Sequence, residues 1–351
     1  MKKELLIASA LVSTLGAASV ANAVTATMSG GHHAGVKGSS IDDGTADTMT
    51  AVTQSSFSVS LSETTDGGVG VASSFMLANE SDTGLHTAGI TLTFTDGSKL
   101  DLINAGNAAK SHDVSVPGSA GEPGVTVTST NYAQDGLDFF GEATAIGIEW
   151  HSAADFMADG LKIGASFSTD TGAAAGASVK LESSWGLGAT YVTSAGDTSV
   201  TIGAGLADSD FKDSGTAASS GSNGFHVGFS AVTGDLTVAA GYANGDKVAD
   251  GTGANESEVN DNTVTKVGAK YVAGDITLSI GYTSGAGKAS NTLGTAGSTE
   301  DAKDTLAAGI SYAVASGVTA NVGYVDVESQ VAGSSETSGG TSWYIGASMS
   351  F

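Results

Sequence analysis

The chain has 351 residues, among them 51 glycines, 2 prolines and no cysteine, and its 37 acidic against 13 basic side chains give a formal net charge of −24. The lack of cysteine excludes disulfides, thiolate metal sites and thiol nucleophiles. The basic side chains are all lysines, and such an acidic balance argues against nucleic acid as a partner. A soluble halophilic or marine protein would explain the charge equally well, so charge alone does not assign a class.

The N-terminus has the pattern of a secretory signal peptide. Lys2 and Lys3 provide a positive start, Leu5 to Val20 form an apolar stretch, and Ala21-Asn22-Ala23 is a small-x-small cleavage site. A transmembrane anchor is the alternative, for which the stretch is short. We therefore predict a signal peptide over 1–23 and a mature domain over 24–351.

After this segment the chain shows alternation with period two, and no apolar run is long enough for a spanning helix. Residues 177–193 are interpreted as one long strand, because their alternation shows no break in phase. An even number of strands is typical of single-chain bacterial barrels. We predict an all-β fold, a transmembrane antiparallel barrel of about sixteen strands, over roughly 24–36, 55–62, 69–78, 88–95, 98–103, 143–151, 161–168, 177–193, 198–207, 224–232, 235–243, 263–272, 275–283, 304–314, 317–327 and 342–351.

Short turns alternate with long connections along this strand order. Tight hairpins are predicted at Asp96-Gly97, Thr233-Gly234, Ala273-Gly274 and Ser316-Gly317, while Ser152–Gly160 is a longer turn on the same side. The connections between hairpins are long and polar. Short turns at one end and long loops at the other are typical of an outer-membrane barrel, whereas a soluble sandwich usually mixes loop lengths at both ends.

The alternation also predicts which face meets lipid. Six tyrosines near the ends of strands are expected to point outward in two interfacial belts: Tyr191, Tyr242, Tyr271, Tyr282, Tyr312 and Tyr324. The opposite face is mostly Gly, Ser, Thr and Ala, which cannot fill a core and therefore leave a wet lumen. Gly203 and Gly205 are expected to thin the lumen wall.

The last nine residues, Trp343 to Phe351, alternate apolar with small or polar side chains and end on an exposed aromatic. This ending resembles the closing strand of Gram-negative outer-membrane proteins. Together with the signal peptide and the hairpin repeats, it makes the whole mature chain similar to a Gram-negative general-diffusion porin of the alphaproteobacterial type.

This resemblance implies a function without a catalytic residue. Porins of this kind are usually homotrimers in an outer membrane of lipid and lipopolysaccharide, and they pass ions and small hydrophilic solutes down their gradients. The chain is therefore expected not to be an enzyme. No cofactor is expected, and loose Ca²⁺ binding by acidic outer loops stays an alternative.

The resemblance also implies a constriction, because the third loop of sixteen-stranded porins folds into the barrel. In this chain that loop is Asn104 to Glu142, and the chain departs from the family pattern in having no arginine to face it. The candidate pore-lining residues of the loop are Lys110, His112, Asp113, Glu122, Asp135, Asp138 and Glu142. Those that alternation places on the lumen face of the wall are Glu149, Lys162, Lys180, Glu182, Lys266 and Lys270.

We predict a transverse field between the acidic loop and the wall lysines, with a preference for cations. The alternative is that these lysines are simply solvated wall residues. Three other functions stay open: a barrel that displays acidic loops for adhesion or surface-layer contact, an outer-membrane enzyme using His151 or His226, and a secreted soluble sandwich or solenoid.

Overall fold

The chain folds into one closed antiparallel sheet. A computed structural model describes residues 24–41, 47–78, 85–102, 107–118, 147–169, 179–213, 219–249, 257–290, 299–330 and 337–351. Its elements are β1 (Thr25–Ile41), β2 (Thr48–Thr64), β3 (Gly70–Ala78), β4 (Leu85–Thr93), β5 (Lys99–Leu102), α1 (Ala108–Ser111), β6 (Gly147–His151), β7 (Leu161–Thr169), β8 (Val179–Ala195), β9 (Thr198–Asp213), β10 (Ser219–Thr233), β11 (Leu236–Ala249), β12 (Ser257–Ala273), β13 (Ile276–Ser290), β14 (Thr299–Ala315), β15 (Val318–Gln330) and β16 (Thr337–Ser350).

Each strand pairs with its neighbours in the chain, and β1 pairs with β16 to close the ring. The prediction of sixteen strands in an antiparallel barrel is confirmed. Closure leaves no edge whose N–H and C=O groups would need water, which is the condition for a sheet to cross a bilayer. Within the described ranges, no helix is long and apolar enough to cross a membrane.

The closing seam places three large aromatic rings against glycines of β1, those of Trp343, Tyr344 and Phe351. A Cβ atom on Gly30 would lie 2.7 Å from Cζ of Phe351, and one on Gly38 would lie 2.5 Å from Cε2 of Trp343. The backbone of Phe351 exchanges two hydrogen bonds with Gly30, of 3.2 and 3.1 Å. The terminal aromatic therefore belongs to the seam between the last strand and the first.

The two faces of the sheet differ as the alternation predicts. Large apolar side chains point outward and are widely exposed, for example Phe229 at 43%, Leu278 at 42% and Ile310 at 49%. The six belt tyrosines are also on this exposed face, at 38–47%. So much regularly spaced apolar surface is suited to lipid and not to water. Among the described residues, buried apolar side chains form only two small clusters.

The prediction of one long strand is confirmed by β8, but the side chains at the start of this strand do not alternate between the two faces as predicted. The register with β9 shifts between Leu181 and Ser183, so Glu182 is the extra residue of a β-bulge. Leu181, expected on the lipid face, is buried at 5%, beside its cross-strand partner Phe211 at 9%. The prediction of unbroken alternation is therefore wrong at this end of the strand, while the lumen-facing position of Glu182 stays a prediction.

The seven described turns at one end of the barrel each contain a glycine with positive φ. They are Gly68, Gly97, Gly160, Gly196, Gly234, Gly274 and Gly317. At the predicted Asp96-Gly97 turn, the hydroxyl and backbone N–H of Ser98 donate to Asp96 Oδ1, and these hydrogen bonds lower the pKa of Asp96 from its ordinary value. The longer turn between β6 and β7 is stabilised by Phe156, whose ring packs edge-on against Trp150 at 5.9 Å.

Replacing Gly274 by alanine tests whether the turn needs a residue that adopts positive φ, without any steric clash of the added side chain. Gly274 has φ +61° and a Cβ there would meet nothing within 4 Å, so only backbone strain opposes the substitution. We expect Gly274→Ala to lower the free energy of unfolding by about 1 kcal/mol. The measurement is urea unfolding of the refolded barrel in lipid vesicles.

Gly118→Ala is the matched control, because its added Cβ also meets nothing within 4 Å and its φ is not positive. Equal stability of the two variants would contradict the account of these turns.

Candidate functional site

The candidate site is a stretch of the third loop that lies inside the barrel, residues Asn107–Gly118, here called the lumen segment. It begins with α1, a single helical turn capped by Asn107, whose Oδ1 accepts a hydrogen bond from Ala109 N at 3.0 Å. A helix of four residues does not form on its own. Its position must therefore be fixed by the wall, and Ala108 and Ala109 are both fully buried against it.

Four hydrogen bonds attach the start of the lumen segment to four different strands. Ala108 N donates to Ser166 Oγ of β7 at 2.9 Å, and Ser111 Oγ donates to Glu149 Oε1 of β6 at 2.5 Å. The other two involve histidines. His226 Nε2 of β10 donates to the carbonyl of Ala109 at 2.6 Å, and His112 Nδ1 hydrogen-bonds Thr190 Oγ1 of β8 at 2.7 Å.

Glycines on the inner face make room for the backbone of the lumen segment. A Cβ on Gly188 would lie 2.3 Å from the Ala108 carbonyl oxygen, and one on Gly203 would lie 2.3 Å from that of His112. A Cβ on Gly205 would lie 2.8 Å from Ala109 Cα. Both glycines of Gly203-Ala204-Gly205 therefore thin the wall at this contact.

The far end of the lumen segment reaches β12 and β13. A Cβ on Gly268 would lie 2.0 Å from the carbonyl oxygen of Pro117, and one on Gly281 would lie 2.3 Å from it. The described part of the third loop therefore runs along the inner wall from β6 and β7 to β12 and β13. It occupies part of a lumen that sixteen strands would otherwise leave wide.

The glycines that contact the lumen segment show which face of each strand is the inner one, and alternation then shows which neighbouring side chains share that face. Gly164 and Ser166 face the segment, so Lys162 shares their face of β7. Gly268 faces it on β12, so Lys266 and Lys270 flank the contact with Pro117. These three lysines thus lie on the same wall as the lumen segment, beside it, and not on a wall opposite to it.

The carboxylate and imidazole groups concentrate around the start of the lumen segment. Glu149 is buried at 3% exposure, and Asp113 Oδ1 of the lumen segment lies 3.8 Å from Nδ1 of the buried His226. Burial, together with the charges of His151, His226 and Lys162, lowers the pKa of His112 to about 4. His112 is therefore neutral at pH 7 and adds no positive charge to the lumen.

Of the remaining candidate pore-lining residues, one is described by the structure and the others are not. Lys110 is exposed on the lumen segment. Glu122, Asp135, Asp138 and Glu142 lie outside the described residues, and so does the side chain of Lys180.

Sequence reasoning missed the groups that hold the loop, namely Asn107, Ser111, Ser166, Thr190 and the inward role of His226. Strand alternation could have placed Asp101 beside Glu149, since both are inward positions of neighbouring strands.

A closed sixteen-strand barrel with an apolar outside and a loop folded into a polar lumen defines an outer-membrane channel. The family comparison agrees: the model of the Gram-negative porin family matches residues 8–332. The chain belongs to this family. It is therefore a non-enzymatic channel of the Gram-negative outer membrane that lets solutes diffuse passively.

Solved structures share the fold over nearly the whole chain. An anion-selective porin from Comamonas acidovorans has a TM-score of 0.65 at 14% identity, covering 93% of this chain and 100% of that one. OmpT, an outer-membrane protein of Vibrio cholerae solved in a trimer form, has a TM-score of 0.61 at 15% identity, covering 95% and 100%. The outer-membrane channel DcaP of Acinetobacter baumannii has a TM-score of 0.57 at 13% identity, covering 93% and 97%. No curated protein sequence matches the chain.

Enlarging Gly188 tests whether the wall glycines hold the lumen segment. Gly188→Val would place methyl groups where the Ala108 carbonyl lies, so the segment must leave the wall. We expect cleavage after Lys110 by a lysine-specific protease to become about tenfold faster, because cleavage follows the population of the detached state. Mass spectrometry of the fragments locates the cut.

Ala189→Val is the matched control, since the neighbouring residue points away from the lumen. Unchanged cleavage after Lys110 in Gly188→Val would show that the contact does not hold the segment.

Proposed function

We propose that this porin is a diffusion channel for ions and small hydrophilic solutes that prefers cations. The main observation behind the proposal is that the lumen segment narrows the barrel. Charged side chains of the wall lie near both ends of this segment. Carboxylates of Asp101 and Glu149 lie on the inner face of β5 and β6, near its start. Lys266 and Lys270 lie near its end, on β12, six strands further round a ring of sixteen.

This arrangement supports a field that runs along the lumen segment, from the carboxylates near its start to Lys266 and Lys270 near its end, with Lys162 of β7 beside the carboxylates. Opposite charges on two sides of a narrow pore orient polar solutes and hinder apolar ones. The preference for cations rests on the excess of carboxylate in the whole chain, which has 37 acidic and 13 basic side chains. The similar porin from Comamonas acidovorans is anion-selective, and a likeness at 14% identity carries the fold alone.

Two further features complete the proposal. The chain is exported with its first 23 residues as a signal peptide, which is removed after Ala23. It assembles as a homotrimer, for which the support is that OmpT of Vibrio cholerae, a structure of the same fold, is solved in a trimer form.

Ion selectivity is measured directly as the reversal potential of the channel in a planar bilayer with a salt gradient. We expect a potential of the sign that cation preference gives. Lys266→Gln and Lys270→Gln should each increase that preference, because each removes a positive charge from the lumen wall.

Lys288→Gln is the matched control, because Lys288 is an exposed lysine paired with Asp261 at 2.6 Å, at the loop end of the barrel. Anion preference of the native channel would refute the proposed selectivity. Equal effects of all three variants would show that the lysines act through overall charge and not from the wall.

A further inference from the structure

Three side chains with metal-binding atoms meet on the inner wall beside the start of the lumen segment. They are Asp101 of β5 and Glu149 and His151 of β6, here called the wall triad, and one ligand atom of each lies within 4.8 Å of the others. Asp101 and Glu149 are direct cross-strand partners, and His151 follows two residues later on the same face. The pairing of β5 with β6 therefore creates the cluster.

The two distances from His151 to the carboxylates are close to those between the ligands of a small tetrahedral ion. His151 Nε2 lies 3.1 Å from Asp101 Oδ2 and 3.6 Å from Glu149 Oε1. In a tetrahedral zinc site with bonds of about 2.0–2.2 Å, neighbouring ligand atoms are about 3.3–3.6 Å apart. We propose that the wall triad binds one divalent transition-metal ion, with Zn²⁺ as the best fit, and leaves its fourth position to lumen water.

The donor set selects among metals. One imidazole nitrogen with two carboxylates is a ligand combination of zinc and related transition metals, whereas Ca²⁺ and Mg²⁺ prefer oxygen ligands alone. This site is also distinct from loose calcium binding by acidic outer loops, because it lies inside the barrel on two strands.

Both carboxylates are already oriented by hydroxyl groups. Thr91 Oγ1 donates to Asp101 Oδ1, which leaves Oδ2 directed at His151. Ser111 Oγ donates to Glu149 Oε1 at 2.5 Å. Hydrogen bonds of this kind fix metal ligands in place and strengthen binding.

Burial provides a second, independent reason for a cation here. Glu149 is exposed at only 3%, and a buried carboxylate is costly unless a positive charge compensates it. The side chains of Asp101 and His151 are 28% and 27% exposed, so an ion can reach the site from the lumen. A further buried nitrogen, His112 Nε2, has no hydrogen-bond partner and points at Gly164, the cross-strand neighbour of His151.

A bound ion would alter the channel because Ser111 belongs to the lumen segment. Two added positive charges beside Glu149 would oppose the passage of cations at the narrow part of the lumen. We therefore expect micromolar Zn²⁺ to lower the single-channel conductance, and a chelator to restore it. The alternative state is a plain hydrogen bond between His151 and Asp101, which binds no metal.

The test is calorimetric titration of the refolded, full-length barrel with Zn²⁺, together with elemental analysis after dialysis. We expect one Zn²⁺ per chain, and binding at least about tenfold weaker in His151→Ala and in Asp101→Asn. His32→Ala is the matched control, since His32 lies on β1 and hydrogen-bonds Ser55 at 2.8 Å, and it should bind as the native chain does.

Several outcomes would overturn the proposal: no binding by the native barrel, the same affinity in His151→Ala, or an equal loss in His32→Ala. If the triad variants fail to refold, Ser111→Ala keeps all three ligands and should weaken binding about tenfold through Glu149 alone. Because the titration needs no ion flow, its failure is distinguishable from failure of the proposed selectivity, which the reversal potential reports.

Discussion

The structure depends on one constraint: a backbone that crosses lipid must satisfy all its hydrogen bonds within itself. A sheet can do so only by closing. Here closure is made by β1 and β16, which pair over Gly31–Ile41 and Gly340–Ser350. Phe351 continues this seam, with its backbone bonded to Gly30 and its ring over the same glycine. The position of the terminal aromatic is therefore part of what closes the barrel.

Closure also inverts the usual distribution of apolar residues. Side chains such as Leu278 and Ile310 serve the lipid boundary, so the interior has to be stable without a conventional core. One packed part is where the lumen segment meets glycines and small residues of the wall, and a second is the cluster of Val325, Val327 and Tyr344. Elsewhere on the inner face, polar side chains are held by hydrogen bonds to one another. For example, Asn321 accepts a hydrogen bond from Ser311 at 2.8 Å and donates one to Ser348 at 3.2 Å. A wall of small side chains thus admits both water and a loop.

The sequence was sufficient for the features that follow from local periodicity. Alternation gives the strands and their faces, and glycines such as Gly274 mark turns because few other residues adopt positive φ. It was insufficient where a contact depends on register between distant strands. The meeting of Asp101 with His151, or of His226 with Ala109, requires pairings that no single strand contains. The bulge at Glu182 cannot be recognised from alternation, because one extra residue leaves each half of the strand locally regular. The four acidic loop candidates from Glu122 to Glu142 stay predictions.

Tryptophan fluorescence distinguishes a barrel whose apolar face meets lipid around a wet lumen from a sheet whose apolar face is packed inside. Trp185 is 43% exposed on the outer face, and Trp150 and Trp343 share the parity of the exposed Ile148 and Ile345. In vesicles containing lipids brominated along their chains, we expect strong quenching of this emission and little quenching by aqueous iodide. Protection from brominated lipid, combined with ready quenching by iodide, would contradict this expectation.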